Sequence, residues 1–211
     1  MEVKYLISEG ILTFPEGTQA TDMIGFEKNV LVEKIIIPKT VTRLGNLPAF
    51  PLYDLPSLKY IIVEDGNKVY DSRDNCNAVI ETESNTLMMG CCNTIIPSTV
   101  ERIYDFAFES CYSLERLKIP KSVRIINTYA FTSCYGLKEV TIPENVAVVE
   151  YGAFENCAYL KKVSFEGINT QLGENVFQYC HELCEICVPK DAVDYYKEQL
   201  PEDLHEIIIG K

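Results

Sequence analysis

The residues best equipped for chemistry are nine cysteines and two histidines. The densest group is the run CHELCEIC, where Cys180, His181, Cys184 and Cys187 set a C-x-x-C spacing beside an imidazole. Such donors suit zinc, and a thiol at Cys184 or Cys187 could equally serve as a redox or nucleophilic group. A second group is a column, with Cys111, Cys134, Cys157 and Cys180 each 23 residues apart. Taken singly, each could ligate a metal, pair in a disulfide, act as a nucleophile or fill a core. Hydrolase machinery has no visible counterpart, since neither His181 nor His205 sits in a G-x-S-x-G or H-E-x-x-H setting. Asp71 and Asp74 in YDSRDNCN lack the ligand spacing and glycine of a calcium loop and read as a solvated turn. The sequence therefore assigns no catalytic residue, no cofactor and no metal site.

Other residue types keep the step of the cysteines, and this decides how the column is read. Pro97, Pro120, Pro143 and Pro189 fall on one period of 23, with Glu166 in the remaining slot. Phe108, Phe131, Phe154 and Phe177 hold the same step, as do Leu114, Leu137, Leu160 and Leu183. A fixed period of this length marks a stack of like units, none of which can bury its apolar face alone. Upstream, Pro15 and Pro38 are one step apart, and Phe26 and Asn29 fill the phenylalanine and cysteine slots of an early unit. Because asparagine is accepted there, the slot does not require a thiol. The four cysteines then read as small buried hydrophobes that stay reduced, although rungs about 4.8 Å apart would be close enough for a disulfide. In this register Cys184 matches Lys161 and Cys187 matches Ser164, both outward positions, whereas Cys180 faces inward. One ion would need ligands pointing in different directions, which argues against zinc.

Within a unit, segments such as LERLKI, LKEVTI and LKKVSF alternate apolar and polar residues and predict a strand, with Leu114, Leu117 and Ile119 inward and Arg116 and Lys118 outward. The proline ends the strand, and segments such as DFAFESC make a tight return on the far side. Residues 38–63 form one lengthened unit, and residues 64–96 an irregular one in which NAVIETESNTLMMGC predicts a hairpin. At the C-terminus Val193, Tyr196 and Leu200 keep helical spacing up to Pro201, and HEIIIG predicts a closing strand. VKYLIS and GILTF predict opening strands. The expected organisation is one solenoid over residues 1–211: N-terminal cap strands over 1–14, seven repeat-like units over 15–188, and a C-terminal cap over 189–211.

Composition narrows the partners. With 31 acidic against 19 basic residues, a net charge of -12 repels phosphate backbones and anionic lipid, which speaks against nucleic acid. No apolar run approaches the roughly 20 residues that span a bilayer, and the opening MEVKYLISEG has no apolar leader core. Either a cytoplasmic protein or removal of a leader is expected on that ground.

The I-P-x-x-V, A-F-x-x-C and L-x-x-V-x-I blocks, all present in order in IPKSVRIINTYAFTSCYGLKEVTIP, resemble the BspA-like leucine-rich repeats of bacteria. That resemblance covers roughly residues 11–211. It implies a β-rich α/β solenoid with a curved parallel sheet, one irregular hairpin unit and a helix-plus-strand cap. It also implies an extracellular or surface-attached, non-catalytic protein engaged in protein–protein interaction or adhesion, and carries over no catalytic residue. By register, the outward face comprises Lys34, Ile36, Tyr60, Ile62, Asn93, Ile95, Arg116, Lys118, Glu139, Thr141, Lys162 and Ser164, continued by Glu185, Cys187, Glu206 and Ile208. A monomer binding a protein or a glycan through that face is expected. A spacer domain, a thiol or metal site at Cys184 and Cys187, and a hairpin unit folded over the apolar residues are the alternatives.

Overall fold

Short strands that bury every second side chain gain little alone, so the units stack side by side and share one interior. A computed structural model describes residues 5–21, 31–44 and 55–211. Phe26 and Asn29 lie outside the described residues. In chain order the strands are β1 (Leu6–Ser8), β2 (Ile11–Thr13), β3 (Lys34–Ile37), β4 (Tyr60–Val63), β5 (Tyr70–Asp71), β6 (Val79–Glu81), β7 (Thr86–Met89) and β8 (Arg102–Ile103). They continue as β9 (Ile125–Ile126), β10 (Glu139–Ile142), β11 (Val148–Val149), β12 (Lys162–Phe165), β13 (Gln171–Leu172), β14 (Glu185–Val188) and β15 (Ile208–Gly210). One short helix, α1 (Val193–Lys197), precedes β15.

The longer strands build two four-stranded sheets, β1-β2-β3-β4 and β10-β12-β14-β15, and the short ones build a third sheet in the order β13-β11-β9-β8-β7-β6-β5. Pairing is parallel with a 23-residue offset wherever the repeat is regular, as in Glu139 with Lys162 and Val148 with Gln171. Ile142, Val163, Phe165, Ile186 and Val188 face the interior from one side, and Ile103, Ile126 and Val149 from the other. A β-solenoid of stacked parallel strands with few helices results, as expected. The expected hairpin also forms, from β6 and β7, with Asn85 in the left-handed region at its turn. Its strands extend the short-strand sheet, because Thr86 and Leu87 pair in parallel with Arg102 and Ile103.

Two expectations need correction here. Residues 93–96 and 116–119 carry the right pattern but form no strand, so the long-strand ladder is broken between β4 and β10. The 93–96 segment is engaged elsewhere: the Ile95 amide donates to Cys76 O at 3.0 Å, the Asn93 carbonyl accepts from Asn77 Nδ2 at 3.2 Å, and the Thr94 hydroxyl donates to Asn77 O at 2.6 Å. At the cap, a 3-10 segment over Glu202–Ile207 resets the register, so Cys187 pairs with Ile209 and Ile208 turns inward.

The segment YDSRDNCN is also more than a solvated turn. The Asp71 carboxylate accepts from Arg73 Nε at 2.8 Å, Arg73 Nη2 at 2.6 Å and Thr82 Oγ1 at 2.9 Å. Arg73 Nη1 donates onward to Asn85 and Thr99, tying the hairpin turn to the next rung. Partial burial pushes the Asp71 carboxyl up, but the bonds from Arg73 and Thr82 outweigh it and hold the group below the usual carboxylate range. A depressed folded-state value gives stability that is complete above the unfolded value near about 4 and is lost as pH falls through the folded one. Asp71→Asn is therefore expected to cost about 1 kcal/mol at neutral pH, allowing for solvent screening of a half-exposed group. The gap between urea titrations of the two chains should narrow once pH is lowered from 7 to below about 4. A gap equal at both pH values would contradict this.

Candidate interaction face

On β3, β4, β10 and β12 the outward residues behave as period-2 alternation requires. Tyr60 and Ile62 are 42% and 40% exposed on β4, with Lys34 and Ile36 beside them in register on β3. Lys34 Nζ lies 5.9 Å from the Tyr60 ring centre. Because the hairpin belongs to the other sheet, it does not fold over these residues. At the far end Glu139 and Thr141 align with Lys162 and Ser164, and these with Glu185 and Cys187. There Glu185 Oε1 accepts from Lys162 Nζ at 2.7 Å, Lys211 Nζ at 2.9 Å and the Cys187 thiol at 2.8 Å. The thiol bond first, and then the two ammonium groups, lower the Glu185 carboxyl to about 2. Between the two ends, Asn93, Ile95, Arg116 and Lys118 stay exposed although they lie outside any ladder. The face expected from register is thus two strand-built platforms with an irregular middle.

The cysteines prove to have a shared local task. Cys134 Sγ donates to Phe108 O, Cys157 Sγ to Phe131 O and Cys180 Sγ to Phe154 O, each at 3.2 Å and each one rung back. Where the ladder fails, Cys91 Sγ reaches Lys59 O at 3.1 Å and Cys92 Sγ reaches Leu58 O at 3.2 Å. All nine cysteines are free. The CHELCEIC donors diverge: Cys180 points to Phe154, Cys184 to Lys161 O at 3.4 Å, and Cys187 to Glu185. Cys187 keeps the outward register of Ser164 but is only 4% exposed, correcting the expectation that it lies open. Among the described residues no group of three or more His, Cys, Asp or Glu side chains is placed to share an ion, and no helix is long and apolar enough to cross a membrane.

Residues 80–197 match the BspA type leucine rich repeat region, in six copies. The chain belongs to the BspA-type leucine-rich repeat family. Its fold is similar to the pneumococcal vaccine antigen PcpA, at 23% identity and a TM-score of 0.64, over 76% of this chain and 40% of that one. It is also similar to a leucine-rich repeat protein from Eubacterium ventriosum, at 24% identity and 0.61, over 76% of this chain and 43% of that one. A leucine rich cell surface protein from Faecalibacterium prausnitzii matches at 20% identity and 0.56, over 84% and 59%. The chain thus spans 40% to 59% of the length of these proteins. No curated protein sequence matches it. At such identities the common property is the fold.

The BspA-type return turn holds a feature that the sequence pattern did not announce. Phe106, Tyr129, Gly152 and Asn175, and four residues later Ser110, Ser133, Asn156 and Tyr179, all have positive φ. Left-handed backbone at aromatic residues is costly in isolation, and here the rung-to-rung amide bonds hold it, with Tyr129 N to Tyr151 O at 3.0 Å as an example. Only Gly152 and the asparagines were a legible signal. For the thiols, the Cys180 contact and then burial push Cys157 up, and burial does the same to Cys134. Both are 0% exposed, whereas Cys184 is exposed. In native protein treated with iodoacetamide, Cys184 is expected to label first, and Cys134 and Cys157 only on unfolding, because the thiolate is the reactive form. Peptide mass mapping over time reads this directly, and early labelling of Cys134 or Cys157 would contradict it.

Proposed function

We propose that this BspA-type chain is a non-catalytic recognition module, acting as a monomer outside the cell or on its surface, and that the outward long-strand face binds a protein. The observation that carries this reading is an exposed apolar group, Tyr60, Ile62 and Ile95, on a face otherwise ruled by polar alternation. Apolar side chains left open beside polar neighbours mark contact surfaces in soluble proteins. A protein fits better than a glycan because the isoleucines offer no hydrogen bonds to hydroxyls. The surface location is supported by a vaccine antigen and a cell surface protein among the structures of similar fold.

The test is retention of a partner from a bacterial or host surface-protein extract by immobilised chain. The double variant Tyr60→Ala with Ile62→Asp is expected to lose at least about tenfold in retained partner, as for truncation of an interface anchor. A spacer domain would retain nothing specific in either form. Retention unaffected by the double variant would reject this face.

A further inference from the structure

The break in the long-strand ladder has a specific chemical character. In regular rungs the amides of Lys161 and Lys162 share the Lys138 carbonyl, and those of Cys184 and Glu185 share the Lys161 carbonyl. The corresponding bonds, from Lys138 and Glu139 to Glu115 and from Glu115 and Arg116 to Cys92, do not form. Between the splayed segments lies an open depression of about 400 Å³, lined by Thr94, Ile95, Leu117, Pro120, Arg116 and Lys118 among others. Ile95 is 74% exposed and is the most exposed large apolar side chain among the described residues.

Charge gives the depression its polarity. Other cations of this face are engaged: Lys162 and Lys211 with Glu185, and Lys34 over the Tyr60 ring. Arg116 and Lys118 are exposed and enter no ion pair among the described residues. In a chain of net charge -12, two unpaired cations beside an apolar hollow offer an acidic ligand a local foothold. Glu115, next to Arg116 in sequence, and Glu139, in the same outward row one rung on, pair with neither cation among the described residues, so both keep their charge available within a Debye length of about 8 Å at physiological salt.

We propose that the depression at Ile95, Leu117, Arg116 and Lys118 binds an extended segment of a partner protein that places one bulky apolar side chain between acidic residues. The apolar side chain enters the hollow against Ile95 and Leu117. Its flanking carboxylates reach Arg116 and Lys118, whose guanidinium and ammonium groups have free donors for them. Backbone groups of residues 116–119, which bond to no neighbouring strand, remain open to hydrogen bonds from the bound strand. This assignment rests on the recognition reading above and gives that face a ligand chemistry.

An array of eight-residue peptides tests it, each with a central Leu, Phe or Ala flanked by Asp/Glu, Lys/Arg or Asn/Gln, probed with labelled native chain. Acid-flanked Leu or Phe peptides are expected to bind at least about tenfold above the basic and alanine sets, and to weaken with added salt. The double variant Arg116→Ser with Lys118→Ser is expected to abolish that preference, and Ile95→Asn to lower binding without changing the charge preference. All three positions are exposed, and an unchanged circular dichroism melt establishes that the variants fold. Equal binding of all flank types, or an acidic preference that survives loss of Arg116 and Lys118, overturns the proposal. Stronger binding of a sulfated glycan than of any peptide overturns the peptide assignment. Binding lost in Ile62→Asp but indifferent to Arg116→Ser would leave the recognition reading standing and sink this one, whereas indifference to every face variant would sink both.

Discussion

Replacing Phe131 by alanine is expected to lower the stability of the chain by about 3–5 kcal/mol, the range for truncating a buried ring in a core that relaxes only partly. Phe131 is wholly buried and lies in the middle of a stack, 4.9 Å from the Phe108 ring and 5.1 Å from that of Phe154, which in turn is 6.0 Å from Phe177. The loss has two parts. One is the burial of the ring itself, and the other is the contact of both faces with neighbours from adjacent rungs, worth about 0.5–1.5 kcal/mol per aromatic pair. Phe131→Leu keeps most of the volume and is expected to cost about half as much, since it forfeits the stacking and leaves a smaller cavity. Equilibrium urea unfolding of the three chains measures the series. If Leu costs next to nothing while Ala keeps its full cost, ring stacking contributes nothing beyond volume.

That spine was legible because phenylalanine, cysteine, leucine and proline columns each kept the same step, and a buried position tolerates few alternatives. The far-side sheet was not legible. Its strands, such as Ile125–Ile126 and Val148–Val149, are two residues long, too short for an alternation to declare itself. The broken ladder was hidden for a different reason. LERLKI has the same apolar pattern as LKEVTI, yet in the preceding segment the Ile95 amide is drawn to Cys76 O and the Thr94 hydroxyl to Asn77 O, a competition for partners that no apolar pattern reports. Likewise, the cysteine column read correctly as buried, but the bond from each thiol to the phenylalanine carbonyl one rung back depends on rung spacing. The weak S–H donor there adds a second partner to a carbonyl that already accepts the turn amide, as Phe131 O does from Cys134 N.

Truncating Tyr196 to alanine is expected to cost about as much as Phe131→Ala, roughly 3–5 kcal/mol, but to change how the chain unfolds. Tyr196, on α1, is 0% exposed, packs 4.7 Å from the Phe165 ring and donates its hydroxyl to Gly167 O at 2.8 Å. Nearby, Gln199 closes the last short strand as a further rung would: its Oε1 accepts from Leu172 N at 2.8 Å and its Nε2 donates to Thr170 O. A stack whose units contact only their neighbours loses stability from an uncovered end inward. Amide exchange in Tyr196→Ala should therefore accelerate first in β13 and β14 and leave the β8 and β9 region near its native protection. Phe131→Ala, by contrast, should weaken both flanking rungs. Tyr196→Phe separates the terms, since it removes only the hydroxyl and is expected to cost about 1 kcal/mol while leaving the Gly167 carbonyl without that donor. Uniform loss of protection along the chain in Tyr196→Ala would mean that the solenoid unfolds as a single unit and that the helix closes it no more than any interior residue does.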